Sequence, residues 1–275
     1  MKYQQYDIPL PLSNYIDRIF HYKNFIPDHS IERVVPTGNI FLLIELDGFE
    51  RSTYDDDLNP DGYFRNSWVS GIQKAHINIS AHRDSEMMVI QFKPDGAMPF
   101  FHRPVHELTD SIRSTDYYFG SSIHLLREAI LKKSEVNGKF QLVERWLSDI
   151  IDQQYSTPQE ISQMIDLLTN APFSRHHDLI NTYPKTQKNL INQFKKYCGI
   201  SPKVLHRIFR FNALLNIIHE KEKIVWTDIV YETGYTDQSH FIKEFQRFSG
   251  FNPSKYIENN YNDSLPNFFP LDREG

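Results

Sequence analysis

The chain has 275 residues, enough for two domains with cores of their own, and carries a formal net charge of -5 with 40% hydrophobic residues. A single cysteine, Cys198, rules out an internal disulfide and fits a reducing compartment, and its apolar neighbours point to a buried thiol. With no apolar run of about 18 residues and no basic segment ahead of an apolar one at the start, the expectation is a cytoplasmic protein with no membrane span.

The charge is unevenly spread. Residues 171–260 hold 13 Lys+Arg against 8 Asp+Glu, a net of +5, and residues 261–275 hold one Arg against three acids, a net of -2. Subtraction leaves -8 for residues 1–170. From Thr186 to Arg210 there are six basic residues and no acid. An acidic front and a basic back fit a protein whose back meets a polyanion.

In chain order, residues 1–26 begin as Pro-punctuated extended chain. Ile16, Ile19 and Phe20 then fit either a helical face or a strand. Val34–Val35 reads as a short strand, Pro36–Thr37–Gly38 as a turn, and Gly38–Leu46 as an apolar, β-branched core strand. Asp55–Gly62, with three consecutive acids, reads as a solvated hairpin tip, because its spacing is not that of a calcium loop. SWVSGIQ, AHINISAH and SEMMVIQFKP follow as strands, with Met87–Phe92 the most buried. Together they predict an antiparallel barrel or sandwich. Pro94–Asp110 breaks the pattern.

From Ser121 to Tyr155 the period becomes helical. Ile123, Leu126 and Ile130 form one stripe, Leu142, Val143, Trp146, Leu147 and Ile150 another, and Asn137–Gly138 is placed between two helices. This pair is expected to be a relay or a dimer face. Ser156–Thr157–Pro158 opens a helix carrying Ile161, Met164, Ile165 and Leu168.

Two related units then follow. Each is a short helix, a turn and a second helix, closed by an aromatic–Gly–x–x–Pro segment: FKKYCGISPK and FQRFSGFNPSKY, whose glycines, Gly199 and Gly250, lie 51 positions apart. In the first, Pro184 marks the turn and Thr186 the cap. Leu190 and Phe194 face inward, and Gln187, Lys188, Ile191, Asn192 and Lys195 face outward. In the second, Thr227 is expected to cap one helix and Asp237 the next, with Gly234 in the turn. Phe241, Phe245 and Phe248 line the buried face, leaving Gln238, Ser239, Ile242, Lys243 and Arg247 outside. Amides, hydroxyls and lysines suit base edges and phosphates in a major groove. In the tail, Phe268 and Phe269, flanked by Pro266 and Pro270, either dock on the body or belong to a disordered end.

ISPKVLHRIFRFNALLNII and IVWTDIVYETGYTDQSHFIKEFQRFSGFNPSKY resemble the AraC/XylS family of bacterial transcription regulators over residues 170–258, and PDGAMPFFHRPVHELTD, Pro94–Asp110, resembles the segment that closes the β-rich N-terminal domain in a subgroup with a poorly characterised sensor domain. The resemblance implies two helix-turn-helix units joined by a long helix, Pro202 to about His219, whose recognition helices enter successive major grooves. It implies base reading by Lys188, Ile191 and Asn192 in the first unit and by Gln238, Ser239, Ile242 and Lys243 in the second. The family's usual Arg of the first recognition helix is Lys188 here, and its usual small–Gly–hydrophobic turn is TYPK. Gln187, Lys195, Lys196, Lys203, Arg207 and Arg247 are the expected phosphate contacts.

Twelve histidines, among them His76, His82, His102 and His106, show no metal-site spacing, and no nucleophile motif or phosphate-cradling loop occurs. Arg65, Trp68, His102 and Arg103 are candidates for an effector pocket of aromatics and cations.

The expectation is an α+β chain, with a β-rich, barrel-like regulatory domain over 1–120 and a helical linker or dimerisation hairpin over 121–155. A double helix-turn-helix domain over 156–260 and a tail over 261–275 complete it. Its function is sequence-specific DNA-binding transcription regulation, as an activator or a repressor, without catalysis, cofactor or metal. The partners expected are double-stranded DNA, a small-molecule effector, RNA polymerase and a second copy of the chain. The alternatives are a helical module that binds a protein, distinguished by failure to bind DNA in a salt-dependent way, and a β-barrel enzyme, distinguished by turnover without residues 171–275.

Overall fold

Alternating and continuous apolar runs build ten strands between residues 2 and 114 of the computed structural model, which describes residues 1–220, 224–235, 237–258 and 267–273. They are β1 (Lys2–Gln5), β2 (Ile16–Phe25), β3 (Ile31–Val34), β4 (Ile40–Glu45), β5 (Arg51–Tyr54), β6 (Pro60–Phe64), β7 (Ser67–Ser70), β8 (Ile77–Ser80), β9 (Ser85–Phe92) and β10 (Ile112–Ser114). An eleventh, β11 (Phe268–Pro270), comes from the far end of the chain. One sheet has the order β1-β2-β9-β4-β7-β10, the other β11-β3-β8-β5-β6, and all pairings are antiparallel. The segment around Ile16, which suited a helix or a strand, is thus a strand, and Asp55–Asn59 is the tip of the β5–β6 hairpin.

The two faces of the first sheet meet different neighbours. Ile40, Leu42 and Ile44 alternate along β4 and join Phe92, Phe100, Phe101, Ile123 and Leu147 in a dry core with the helices. Between β9 and β10 lies the short helix α1 (Met98–Phe101), and beyond β10 lie α2 (Asp116–Phe119), α3 (Ser121–Leu131) and α4 (Val136–Ile150). Asn137–Gly138 does not separate α3 from α4 but sits in the first turn of α4. Amides there have no intrahelical acceptor to lose, so Gly and Asn are tolerated, and the break falls at residues 132–135. Lys139 of α4 fastens the hairpin to the sheet through Glu86 of β9 at 2.6 Å, with His21 of β2 at 2.9 Å on the same carboxylate. Burial pushes the Glu86 carboxyl up, but its Lys139 and His21 hydrogen bonds prevail and bring it to about 2.

The opposite face of β4 looks across to the second sheet and is polar at its end. Glu45 is fully buried, accepts the Trp68 indole N–H at 2.7 Å and lies 3.3 Å from Arg51 of β5, which also pairs with Asp47 at 2.5 Å. The second Glu45 oxygen has no hydrogen-bond partner. Burial is the largest influence on this carboxyl and raises it to about 7 against the opposing Arg51 charge and Trp68 donor.

The C-terminal helices are α5 (Gln159–Asn170), α6 (His176–Ile180), α7 (Gln187–Cys198), α8 (Pro202–Glu220), α9 (Trp226–Glu232), α10 (Gln238–Ser249) and α11 (Pro253–Glu258). α6–α7 and α9–α10 are the two helix-turn-helix units, and α8 is the long helix between them. Thr227 does not cap α9, whose N-cap is Val225 without a side-chain bond; Thr227 stands inside the first turn. Phe268 and Phe269 dock: β11 pairs with β3 in the register Phe268↔Val34, Phe269↔Arg33 and Pro270↔Glu32. The flanking Pro266, with residues 261–265 and 274–275 of the tail, lies outside the described residues.

Glu45 sets a pH dependence of known sign. Between about pH 4.5 and about pH 7 the folded chain keeps a proton that the unfolded chain has released, so this group makes stability fall as pH rises. Urea unfolding at about pH 5 and about pH 8 should show Glu45→Gln gaining on the wild type by on the order of 2–3 kcal/mol across that interval.

Candidate nucleic-acid interface

Each recognition helix is cut into a buried and a wet face by its aromatic spacing. In α10, Phe241, Phe245 and Phe248 are buried, with ring centroids 5.4 Å from Trp226 (Phe241), 5.5 Å from Phe211 (Phe245) and 5.2 Å from Phe211 (Phe248). Each buried ring contributes on the order of 2–3 kcal/mol. Asp237 caps the helix, accepting from the His240 amide at 2.8 Å, as its position before the aromatic run predicts. In α7, Leu190, Phe194, Tyr197 and Cys198 are buried, and Thr186 accepts from the Asn189 amide at 3.2 Å. Burial raises the Cys198 thiol well above its ordinary range, which leaves it a packing residue.

Lys188, Asn192, Lys195, Lys196 and Gln187 are exposed on α7, and Ile191 is 38% exposed among them. On α10, Gln238, Ser239, Lys243 and Arg247 are exposed, as are His240 and Gln246. Ile242 differs from the expectation: it is half-buried and packs against the core, because it flanks the Phe241–Phe245 row. Lys203 is exposed at the start of α8. Arg207, one turn further, is half-buried and held by Glu244 at 2.5 Å, with its guanidinium 5.6 Å above the Phe248 ring.

Glu244 is the acid that the amphipathic pattern overlooked. It lies three residues after Phe241, on the buried edge of the stripe, and is 2% exposed. Besides Arg207 it accepts the Tyr235 hydroxyl at 3.2 Å, so it ties α10 to α8 and to the turn before α10. α7 has no acid and Glu244 is the only one in α10, so neither outward face carries a carboxylate. Lys188, Lys195, Lys196, Lys203, Lys243 and Arg247 make no ion pair with the described residues. The result is two polar helical faces with cations available to an external anion.

Residues 185–259 match a helix-turn-helix domain, and residues 4–114 match a domain of unknown function, DUF6597. The chain carries an AraC-type helix-turn-helix domain. It is a DNA-binding transcription regulator with a β-sheet domain in front. No curated protein matches it in sequence. Among solved structures it is similar to ToxT from Vibrio cholerae, at 11% identity and TM-score 0.44 over 94% of this chain and 98% of that one. It is also similar to the unsaturated fatty acid-bound form of ToxT, at 11% identity and TM-score 0.44 over 87% and 94%. For the AraC-like transcriptional activator CuxR the values are 12% identity and TM-score 0.25 over 76% and 85%.

The four residues proposed to line an effector pocket do not come together. Trp68 lies on the intersheet face of β7, bonded to Glu45. Arg65 is exposed and paired with Glu50 at 3.0 Å. His102 and Arg103 follow α1 on the other side of that sheet, His102 against the Ile150 carbonyl at 3.0 Å and Arg103 against Glu107 and the Tyr117 ring. None of the four lines either of two open clefts, one of about 710 Å³ between β5, β6, β8 and β10, the other of about 490 Å³ beside β1 and α4. Alternation along β7 accounts for Trp68, since it turns inward there while the helical side takes Val69. Among the described residues no group of three His, Cys, Asp or Glu is placed to hold a metal ion, and no helix is long and apolar enough to cross a membrane.

Arg207→Ala should leave the buried Glu244 carboxylate without its guanidinium, with only the Tyr235 hydroxyl at 3.2 Å and the His240 ring at 3.8 Å beside it. Denaturant unfolding is expected to show a loss on the order of 2–3 kcal/mol, the low side for a buried pair because Arg207 is partly open to water.

Proposed function

We infer that the two outward faces read a specific DNA site, with Lys188, Ile191 and Asn192 on α7 and Gln238, Ser239 and Lys243 on α10 at base edges. The half-buried Ile242 is limited to a thymine methyl at its open edge. Gln187, Lys195, Lys196, Lys203 and Arg247 grip phosphates on either side, and Arg207 contributes charge from behind its pair with Glu244. The observation that carries this is the sorting of charge on α7 and α10: unpaired cations outside, the one carboxylate inside. A face built this way has lost the repulsion that a phosphate backbone would otherwise meet.

The division into a sensor over 1–120, a helical hairpin over 121–155, a reader over 156–260 and a tail over 261–275 belongs to this reading. So does control of DNA binding by a small molecule at the front domain. The protein acts in the bacterial cytoplasm as an activator without catalytic chemistry or cofactor, meeting RNA polymerase and pairing with a second copy.

Selection from random DNA tests the assignment. Lys243→Ala should relax preference at one position, by about 1–3 kcal/mol between right and wrong base. Lys196→Ala should weaken every sequence alike and lower the slope of log affinity against log salt by about 1. An unchanged preference in the Lys243 variant would remove that residue from base reading.

A further inference from the structure

The two closing glycines occupy equivalent places in the duplicated units, and both are pressed by the β-sheet domain. Gly199 and Gly250 end α7 and α10 in the left-handed region, at φ +86 and +72. That conformation accounts for glycine by itself. It does not account for what stands beside each. A Cβ at Gly199 would come 2.8 Å from the Thr109 hydroxyl and 2.9 Å from Ile72, and one at Gly250 would overlap the Arg33 guanidinium and come 2.9 Å from His76. Carbonyls at a helix end lack intrahelical donors. Here the front domain supplies them: Thr109 donates to the Gly199 carbonyl at 2.8 Å, and Arg33 donates to the Ser249 carbonyl at 3.3 Å. A cation at the negative end of α10 adds to that bond.

Further contacts make the attachment firm. Phe269 of β11, the register partner of Arg33, is fully buried and sits 5.3 Å from Tyr256 and 5.9 Å from Phe251 of the second closing segment. Asn212, midway along α8, donates to the Pro36 carbonyl at 2.9 Å, and Gly38 lies under Leu205 and Phe209. The front domain therefore touches the end of each recognition helix and the middle of the helix that joins them.

We propose that the β-sheet domain is a mount that sets the separation of the two recognition helices on DNA, with Thr109, Arg33 and Phe269 as positioning residues at its two seats. This rests on both helices reading one duplex. α10 is already tied to α8 through the Arg207–Glu244 pair and through Phe211 against Phe245 and Phe248. The two seats add a second hold at the end of each recognition helix, and a reader held at fewer points tolerates more spacings between its two recognition elements.

The test uses the full-length chain and the site it selects, with one or two base pairs inserted between or removed from between the two elements, and with each element scrambled. The wild type should lose about tenfold or more in affinity for a one-base-pair change, comparable to one mismatched pair. The double variant Arg33→Met, Phe269→Leu should lose less than about threefold for the same change while keeping its base preference within each element. Thr109→Val, which removes only a hydroxyl, should shift tolerance in the same direction and serves where the double variant does not fold. Spacing profiles identical to the wild type in both variants would overturn the mount while leaving DNA reading intact. A wild type that needs only one element, or binds no DNA, would overturn the reading itself and the mount with it.

Discussion

Burial of three phenylalanines on one side of α10 is the constraint from which the reading surface follows. With Phe241, Phe245 and Phe248 committed to Trp226, Phe211 and Tyr256, the helix has no freedom to roll. Every other side chain on it is assigned to water or to the seam by that one choice. Glu244 falls on the seam, where a carboxylate is tolerable only with Arg207 and Tyr235 beside it. Lys243 and Arg247 fall outside. The same logic holds on α7 with Leu190 and Phe194, although there the seam position equivalent to Glu244 is Gln193 and no ion pair forms.

The two faces of the six-stranded sheet show how differently one layer can be used. Toward the helices it is continuous hydrocarbon and aromatic packing, from Leu12 through Phe92 to Trp146. Toward the second sheet it ends in Glu45, Arg51, Asp47 and Trp68, a buried polar group whose members are held by each other. Such a group adds little net stability compared with apolar filling of the same shape, and it makes this side of the sandwich responsive to charge.

How much of this was legible depended on the range of the interaction. Local signals carried well: Asp237 and Thr186 as caps, the two closing glycines, and the phenylalanine row were all readable because each acts within one or two turns. Where a local rule had a second solution it misled. Asn137–Gly138 suits a break, but it suits the first turn of a helix equally, and Thr227 resembles a cap while Val225 holds that place. Ile242 depended on how wide the buried stripe is, which spacing alone does not define. The pocket residues failed for a topological reason, since Trp68 and His102 lie on opposite sides of one sheet and only the register of β4, β7 and β9 reveals it. The pairing of β11 with β3, across more than 230 residues of chain, has no local signature at all.

That last pairing has a consequence for how the protein is made. Asp272 receives the amides of Ser30 and Ile31, and the Leu271 amide reaches the Ile31 carbonyl at 2.9 Å, so the outermost position of the five-stranded sheet beside β3 is filled by residues synthesised well after the helical domain. Until those residues have been made and have docked, β3 is a bare sheet margin with its outer amides and carbonyls unsatisfied, open to any extended segment that passes. The β-sheet domain is thus completed only after the helical domain that lies between its strands in the sequence has been made, and the order of assembly runs against the order of synthesis.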